Sequence, residues 1–492
     1  MKTPAKTLRH HCQHALLLLA LCAVWAAPAR AENDPFAAMH RAVSAAAASK
    51  PGNTTVGVAV VDVVTGHVIY EQNADAPLNP ASNAKVITAA VALKVLGPEF
   101  RFTTQLHGRS GADAIQGPLY IKGHADPSLT TAHLFALAHQ LRTAGIARIE
   151  GGITVDDSYF DAENEPFAFD QQPGEDNAFR APVGAVSLNR NAIEILIRPA
   201  PSAMTRAIVT LDPPGYAVLA NDTITVGQGA HDPRISALPF ENRTRIRVWG
   251  QIPQGSRPVR YYRRIDNPSL LTGHALMDLL KQLGITTSGT VQFGKVPPGT
   301  PLLASHASEP LSALLWETGK MSNNFYSETF FKVLGAETTS GPGTWEAAEA
   351  AVANVLEGWG IPKGTYKFKN GSGLFDANEV SAHQFCQVLR AAWRDAAIRP
   401  EFLTQLATGG VDGTIKSRYA TPETRRYVRA KTGTLNSVIT LTGYVLDKTG
   451  ERPVAFSILL NRAAGYASAA RAWQEKIVTA IAHQLNGPGA QP

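Results

Sequence analysis

A serine and a lysine stand three positions apart at the start of an apolar run, in the stretch LNPASNAKVITAAVALKVLG. The proline and serine at its start and the final glycine predict a helix here. Positions i and i+3 share a helix face, so Lys85 Nζ can reach Ser82 Oγ. A serine nucleophile needs an adjacent base, and a partly desolvated lysine near other cations has a lowered pKa that suits this task. The pair indicates acyl transfer, although two solvated residues at a helix cap would show the same spacing.

Two further polar motifs lie later in the chain. Ser322 begins an S-N-N tripeptide that enters another helical run, and Lys431 begins K-T-G-T at the head of an apolar strand. Taken singly, the first is typical of a turn with a cap and the second of a turn. The glycine would allow a ligand to lie against the strand edge. In the order S-x-x-K, S-x-N, K-T-G, the three motifs predict serine acyl transfer.

The first 31 residues have the pattern of a secretory signal. They combine a basic start, an apolar stretch over residues 15–27 and an A-x-A cleavage site that ends at Ala31. A membrane anchor would need a longer apolar run. A lipoprotein signal at Cys22 would need a small residue before it, where Leu21 stands. We expect cleavage after Ala31 and a soluble exported protein, most simply in a periplasm.

Removal of this segment changes the bulk properties. Four basic residues leave, so the formal charge falls from +6 to +2 and gives little support for nucleic-acid binding. Of the three cysteines only Cys386 stays, which excludes an intramolecular disulfide. Cys386 lies in a helical pattern and is predicted to be a small buried apolar residue. No other segment is long and apolar enough to predict a membrane span.

The two ends of the chain combine strand and helix patterns, whereas the middle is dominated by short β-like runs broken by Pro and Gly. We therefore predict one α/β domain built from residues 32–100 and 303–486. Residues 101–302 would form a β-rich insertion, and residues 487–492 a flexible tail.

The spacing of the motifs resembles that of one family. Ser82 and Ser322 lie 240 residues apart, far more than in a compact β-lactamase, and Lys431 follows 109 residues later. With the segments GHADPSLT, DDSYFD, GPGTW, NGSGLFDANEVS and KTGTL, the chain resembles the class C low-molecular-mass penicillin-binding proteins, the D-alanyl-D-alanine carboxypeptidase/endopeptidases. The resemblance covers nearly the whole chain after the signal. It implies a β-lactamase/transpeptidase-like domain of mixed α/β structure, split by two inserted domains, and no cofactor or metal.

The resemblance also implies catalytic roles. Ser82 attacks the carbonyl between two D-amino-acid residues and becomes acylated, with Lys85 as the base. Ser322 relays a proton to the leaving amine. Asn324 hydrogen-bonds Lys85 and the substrate amide, and the charge of Lys431 keeps Lys85 deprotonated.

The same resemblance assigns substrate contacts to the K-T-G-T strand. Thr432 and Thr434 bind the terminal carboxylate of the substrate, beside Gly433. The backbone N–H groups of Ser82 and Thr434 form the oxyanion hole.

A pocket for the substrate side chain is less well defined by the sequence. Glu175 or Asp176 is expected to bind an amine, with Phe179 nearby, and Asn436 is expected to contribute from the end of the K-T-G-T strand. A solvated loop is the alternative for the two carboxylates. The family often has an arginine after G-S-G-L, but Asp376 stands near that place here, which puts an endopeptidase preference in doubt.

Three alternatives differ in class. A serine β-lactamase would need fast deacylation, and the long insertion argues against it. A non-catalytic penicillin-sensing or wall-binding protein would not need the nucleophile. A zinc amidase would need a ligand pattern such as H-E-x-x-H, which is missing. The expected partners are peptidoglycan stem peptides and β-lactams, and the oligomeric state stays open.

Overall fold

The computed structural model describes residues 34–488 of the 492. The predicted signal segment lies outside the described residues, as do the last four residues of the predicted tail. The described chain is a mixed α/β structure, as predicted. Its helices are α1 Ala37–Ala47, α2 Ala84–Leu96, α3 Thr131–Thr143, α4 Pro268–Gln282, α5 Leu311–Gly319, α6 Asn324–Thr338, α7 Trp345–Gly358, α8 Ala382–Arg394, α9 Arg399–Gln405 and α10 Ala467–Asn486.

The strands fall into groups at the two ends and in the middle of the chain. In chain order they are β1 Thr55–Asp62, β2 Val68–Gln72, β3 Thr103–Ser110, β4 Ala114–Gly123, β5 Arg148–Ile149, β6 Ile153–Asp156, β7 Ala192–Arg198, β8 Thr205–Arg206, β9 Ile208–Asp212, β10 Val218–Val226, β11 Asp232–Phe240, β12 Arg243–Pro253, β13 Val259–Arg264, β14 Thr286–Thr287, β15 Val291–Phe293, β16 Leu302–Ala307, β17 Ala407–Thr408, β18 Val428–Leu435, β19 Val438–Val445 and β20 Val454–Asn461.

A six-stranded antiparallel sheet joins the two ends of the chain. Its order is β17-β18-β19-β20-β1-β2, with Val58 of β1 opposite Ile458 of β20. Alternate residues of β1 enter two apolar clusters, one with α1 and α10 and the other with α2 and α8. Burial on both faces explains why β1 and β20 are almost continuously apolar.

The edge of β18 is only partly covered. The short strand β17 pairs with β18 through Ala430 and Arg429, and the six-strand order places no strand beside residues 431–435 on that side. An uncovered strand edge offers backbone N–H and C=O groups to an extended ligand.

Helix α2 is buried around most of its circumference. Every residue from Ala84 to Leu93 is buried, which is typical of a helix that runs through a core. Gly97 ends the helix with φ of +80°, and its N–H donates to the carbonyl of Leu93 at 3.1 Å. The N-terminus of α2 follows a 3₁₀ turn at Ala81–Asn83 and lies under β18.

The region between β2 and α5 forms three further sheets. One has seven strands, from β3 to β6 with β14 to β16. The second has the order β11-β12-β10-β8, and the third β13-β7-β9. Helices α3 and α4 pack with these sheets in one apolar cluster. The domain boundaries at residues 100 and 303 stay a prediction.

Candidate active site

Ser82 and Lys85 lie together where the 3₁₀ turn meets α2. Lys85 Nζ donates to Ser82 Oγ at 3.0 Å, to Asn324 Oδ1 at 2.8 Å and to the carbonyl of Ser372 at 2.7 Å. The lysine side chain is completely buried, whereas Ser82 is half-buried. This geometry corresponds to a nucleophile beside its base rather than to two solvated cap residues.

Burial sets the protonation of Lys85. It lowers the pKa of Lys85 from 10.5 to about 7, and the negative charge of Glu328 opposes part of this shift. The sequence analysis attributed the lowered pKa to partial desolvation and to the charge of Lys431, and desolvation is the leading cause here. A large fraction of Lys85 is therefore neutral near pH 7 and able to accept a proton.

Ser322 is presented by a left-handed backbone, with φ of +59°. Such a conformation is uncommon for a residue other than glycine and is often found at functional sites. Lys431 Nζ donates to Ser322 Oγ at 2.8 Å. Asn323 caps α6 by accepting from the N–H of Tyr326 at 3.4 Å. The S-N-N tripeptide therefore combines a helix cap, at Asn323, with two residues of the candidate site, Ser322 and Asn324.

Asn324 connects three parts of the molecule. Its Oδ1 accepts from Lys85, and its Nδ2 donates to the backbone carbonyl of Phe179 at 3.1 Å. The inserted region therefore contributes a backbone group directly to the catalytic cluster. Asn324 Nδ2 carries a second N–H, and this donor is the one available for the expected contact with a substrate amide.

Lys431 completes the cluster from β18. Its side chain is fully buried, and its Nζ donates to the carbonyl of Thr432 at 2.8 Å as well as to Ser322. Burial and the positive charge of Lys85 hold the pKa of Lys431 well below its usual value.

Gly433 allows β18 to approach the nucleophile closely. A methyl group on this glycine would lie 2.1 Å from Thr440 Oγ1, 2.9 Å from the carbonyl oxygen of Pro80 and 3.0 Å from the backbone nitrogen of Ser82. The Ser82 N–H thus lies beside the strand, as an oxyanion hole shared with Thr434 would require.

The two threonines of the motif face polar partners. Thr432 Oγ1 donates to Thr414 Oγ1 at 2.8 Å, and Thr434 Oγ1 accepts from Arg471 Nη2 at 3.5 Å. Thr414 and Arg471 were not identified from the sequence, because they come from a 3₁₀ turn at Gly413–Ile415 and from α10, outside every motif. Arg471 adds a positive charge where a substrate carboxylate is expected.

Glu328 is a third residue of the candidate site that the sequence analysis did not identify. Its carboxylate is buried and accepts from the N–H groups of Gly371 and Ser372 at 2.9 and 2.8 Å. Burial raises the pKa of Glu328, and the two backbone N–H groups and the charge of Lys85 oppose that rise. Its spacing of four residues from Asn324, on one face of an apolar helix, is the sequence signal that could have identified it.

The predicted side-chain pocket is only partly assembled. Asp176 forms an ion pair with Arg263 at 3.1 Å and accepts from the N–H of Ala237 at 2.9 Å, so its carboxylate already has partners. Glu175 accepts from the N–H of Asn177 at 3.0 Å. The role of these carboxylates in binding an amine stays a prediction, which the contacts of Asp176 argue against.

Phe179, Asn436 and Asp376 are placed differently. Phe179 is exposed and lies beside Asn324, whereas Asn436 is exposed just after β18. Asp376 accepts from Asn79 Nδ2 at 2.8 Å, and Asn79 Oδ1 in turn accepts from the N–H of Ala81. Asp376 therefore supports the turn that carries Ser82.

Metal ligation, the free cysteine and membrane-spanning helices can also be assessed for the described residues. Between residues 34 and 488, no group of His, Cys, Asp and Glu side chains is arranged to hold a metal ion. Cys386 is buried and free as predicted, and burial raises the pKa of its thiol. In the same part of the chain, no helix has the length and apolarity needed to cross a membrane.

A family model and related proteins match this chain over most of its length. The model of the D-Ala-D-Ala carboxypeptidase 3 (S13) family matches residues 39–484. A D-alanyl-D-alanine carboxypeptidase of Actinomadura sp. (strain R39) is 33% identical over 426 residues, which is 83% of this chain and 78% of the relative. The D-alanyl-D-alanine carboxypeptidase DacB of Haemophilus influenzae is 26% identical, over 84% of this chain and 86% of the relative.

A solved structure supports the fold. The crystal structure of penicillin binding protein 4 (dacB) from Haemophilus influenzae superposes with a TM-score of 0.75 and 24% identity, over 89% of this chain and 98% of that chain. The split sheet and the inserted region are thus part of a known architecture.

Proposed function

The chain belongs to the D-Ala-D-Ala carboxypeptidase 3 (S13) family, and from this premise we propose how its residues carry out the reaction. It is a serine D,D-peptidase, a hydrolase that acts on peptidoglycan, and the predicted resemblance to class C low-molecular-mass penicillin-binding proteins is confirmed. The observation that carries the proposed mechanism is that Lys85 Nζ, whose pKa is lowered to about 7, lies 3.0 Å from Ser82 Oγ.

Acylation begins with neutral Lys85. Ser82 Oγ forms a bond to the carbonyl carbon of the penultimate D-residue, and its proton passes to Lys85 Nζ. The negative charge on the carbonyl oxygen is stabilised by the N–H groups of Ser82 and Thr434. Removal of one such donor typically costs about 3–4 kcal/mol of transition-state stabilisation.

The leaving amine then needs a proton. Ser322 gives its hydroxyl proton to that amine as the C–N bond breaks, and Ser322 Oγ receives the proton that Lys85 carries. Lys431 orients Ser322 for this relay through its 2.8 Å hydrogen bond. In the second half of the reaction, water attacks the acyl-enzyme, Lys85 takes a water proton, and the proton returns to Ser82 Oγ as the ester bond breaks.

Substrate recognition extends along β18. The uncovered edge at residues 431–435 would pair with the extended peptide, while Thr432, Thr434 and Arg471 bind its terminal carboxylate. A β-lactam would acylate Ser82 by the same path and keep its ring fragment attached. We further propose that the enzyme is exported to the periplasm, because residues 1–31 have the signal pattern and its substrate lies outside the cytoplasm.

Intact-protein mass spectrometry with benzylpenicillin tests the mechanism. The wild-type protein is expected to gain the mass of the intact drug as a long-lived adduct, and Ser82→Ala is expected to gain nothing. Rapid turnover of the drug without an adduct would instead support a β-lactamase. An adduct that persists in Ser82→Ala would place the nucleophile elsewhere and overturn the assignment.

A further inference from the structure

A cavity of about 560 Å³ opens beside the proton-relay residue, between the start of α6 and the inserted region. Ser322, Asn324 and Tyr326 line one side, and Phe179 and Arg190 line the other. The S-N-N motif borders this space, whereas the threonines proposed to bind the terminal carboxylate, Thr432 and Thr434, lie on β18 and do not line it.

Arg190 is held in the cavity by an unusual backbone. Asn189, Arg190 and Asn191 have φ of +48°, +61° and +51°, so three consecutive residues are left-handed. Asparagine tolerates this conformation, but arginine rarely adopts it, because its side chain is strained there. Conformational cost of this kind is commonly found where a side chain must be presented to a ligand.

Both flanking asparagines are fixed by hydrogen bonds. Asn189 Oδ1 accepts from the N–H of Thr131 at 3.0 Å, and its Nδ2 donates to Thr131 Oγ1 at 2.8 Å. Asn191 Nδ2 donates to the carbonyl of Pro182 at 2.8 Å and to Ser187 Oγ at 3.0 Å. The segment is therefore anchored on each side of Arg190, whose side chain extends into the cavity.

The charge of Arg190 is poorly compensated. Its side chain is 54% exposed, and the nearest acidic contact is Glu317 Oε1, 3.8 Å from Nη2. A charge-assisted hydrogen bond would bring these atoms to about 2.7–2.9 Å. The carboxylate of Glu194, which also lines the cavity, already binds Arg260 and the hydroxyl of Tyr262, each at 2.9 Å. Asp212, the other carboxylate of the lining, accepts from Thr131 Oγ1 and Asn189 Nδ2. Arg190 itself lies over the Tyr326 ring, 5.8 Å from its centroid, and its long ion pair with Glu317 leaves N–H groups that can donate to a ligand carboxylate.

We infer that this cavity binds the leaving peptide of a cross-link and that Arg190 binds a carboxylate of that peptide. The inference rests on the proposed function, because the leaving amine must lie within reach of Ser322 to receive its proton. The rest of the leaving group then extends from Ser322 into the adjoining cavity. A single D-alanine would leave most of this space unfilled, whereas a second stem peptide matches its size, and Arg190 is the cation of the lining that can bind one of its carboxylates.

The test compares two substrates that differ in the leaving group. One is a purified cross-linked muropeptide dimer, and the other is diacetyl-lysyl-D-alanyl-D-alanine, which releases D-alanine. In Arg190→Ala, kcat/KM for the dimer is expected to fall about tenfold more than kcat/KM for the tripeptide. Arg190→Lys should recover part of the difference. Arg190→Asn, which fits the left-handed backbone without the charge, should behave as Arg190→Ala. Arg245→Ala removes another exposed arginine of the inserted region, outside the cavity lining, and is expected to change neither value.

Each other result contradicts the inference. An equal loss on both substrates in Arg190→Asn would assign Arg190 a purely structural role, and no loss on either would exclude it from binding. A wild-type enzyme that cleaves the tripeptide but not the dimer would overturn the inference and leave the proposed function intact. Failure to cleave either substrate, with no penicillin adduct, would overturn the proposed function itself.

Discussion

Glu328 and Lys85 are connected through one residue of the backbone. The Glu328 carboxylate accepts from the N–H of Ser372 at 2.8 Å, and the carbonyl of the same residue accepts from Lys85 Nζ at 2.7 Å. Both side chains are fully buried. A buried acidic group thus lies one residue away from the catalytic base and influences its protonation, although the two charged groups form no direct ion pair.

This arrangement predicts the pH dependence of acylation. Lys85 accepts a proton only when neutral, so the acylation rate should rise with pH through the lysine pKa of about 7 and then level off. The charge of Glu328 raises the pKa of Lys85. Glu328→Gln should therefore move the rising limb of the profile to lower pH, as measured by the rate of benzylpenicillin acylation between pH 5 and pH 9.

The control for this variant is Glu349→Gln. Glu349 lies on α7 and forms its ion pair with Lys369 rather than with a catalytic residue. Glu349→Gln should therefore leave the rising limb of the pH profile at its wild-type position. A limb that stays unchanged in Glu328→Gln, or that moves to higher pH, would contradict the electrostatic role of Glu328.

Gly433→Ala should prevent the close approach of β18 to the nucleophile. The added methyl group would clash with Thr440 and with the backbone around Ser82, so the strand must move away. Because a displacement of about 1 Å can cost on the order of 100-fold in rate, we expect at least that loss in the acylation rate constant. Gly358→Ala, whose methyl group would meet open space, is the matched control and should react at the wild-type rate. Labelling with a fluorescent penicillin measures the acylation rate of each variant. A wild-type rate in Gly433→Ala would disprove the packing argument.

The motif residues could be predicted from the sequence because each motif is local. Ser82 and Lys85 share a helix turn, and residues 431–434 share a strand, so spacing alone indicates their proximity. The split domain was also predictable in outline, since strand patterns recur at both ends of the chain. The three motifs could be brought together only by resemblance, because no local rule connects residues that are 240 positions apart.

The remaining features depend on tertiary contacts. Glu328 binds a backbone segment 43 residues away, and Asn324 binds the carbonyl of Phe179, 145 residues away. The left-handed conformation of Arg190 leaves no compositional sign, because arginine does not favour it. Likewise the low pKa of Lys85 results mainly from complete burial, which a polar residue near a helix start does not reveal.

Asp161→Ala should destabilise the fold without changing the catalytic cluster. Lys332 is completely buried, and its Nζ donates to Asp161 Oδ1 at 2.6 Å beside the rings of Trp345 and Phe160. Loss of the acidic partner leaves a buried charge, which typically costs 3–5 kcal/mol, and the partial exposure of Asp161 favours a loss of about 3 kcal/mol. Lys94→Ala breaks a more exposed ion pair with Asp395 and should cost no more than about 1 kcal/mol. Urea denaturation measures the free energy of unfolding of each variant, and equal losses in Asp161→Ala and Lys94→Ala would disprove the argument.

Thr432→Val tests how the enzyme recognises the end of its substrate. The variant keeps the shape of the side chain but removes the hydroxyl proposed to bind the terminal carboxylate. A hydrogen bond to a charged group contributes about 1.5–3 kcal/mol, which corresponds to a loss of about 10- to 150-fold in kcat/KM. The loss should be confined to peptides with a free C-terminal carboxylate, so the wild-type preference for such a peptide over its C-terminal amide should decrease in the variant.

Thr414→Val separates binding of the carboxylate from support of the threonine. Thr414 touches Thr432 Oγ1 at 2.8 Å and is expected to orient it, so its removal should produce a smaller loss in the same direction. Measuring kcat/KM for the peptide acid and for the peptide amide gives the acid-to-amide preference of each variant. If Thr432→Val lowers the two substrates equally, the hydroxyl acts on the reaction as a whole, and recognition of the carboxylate must come from Thr434 and Arg471 instead.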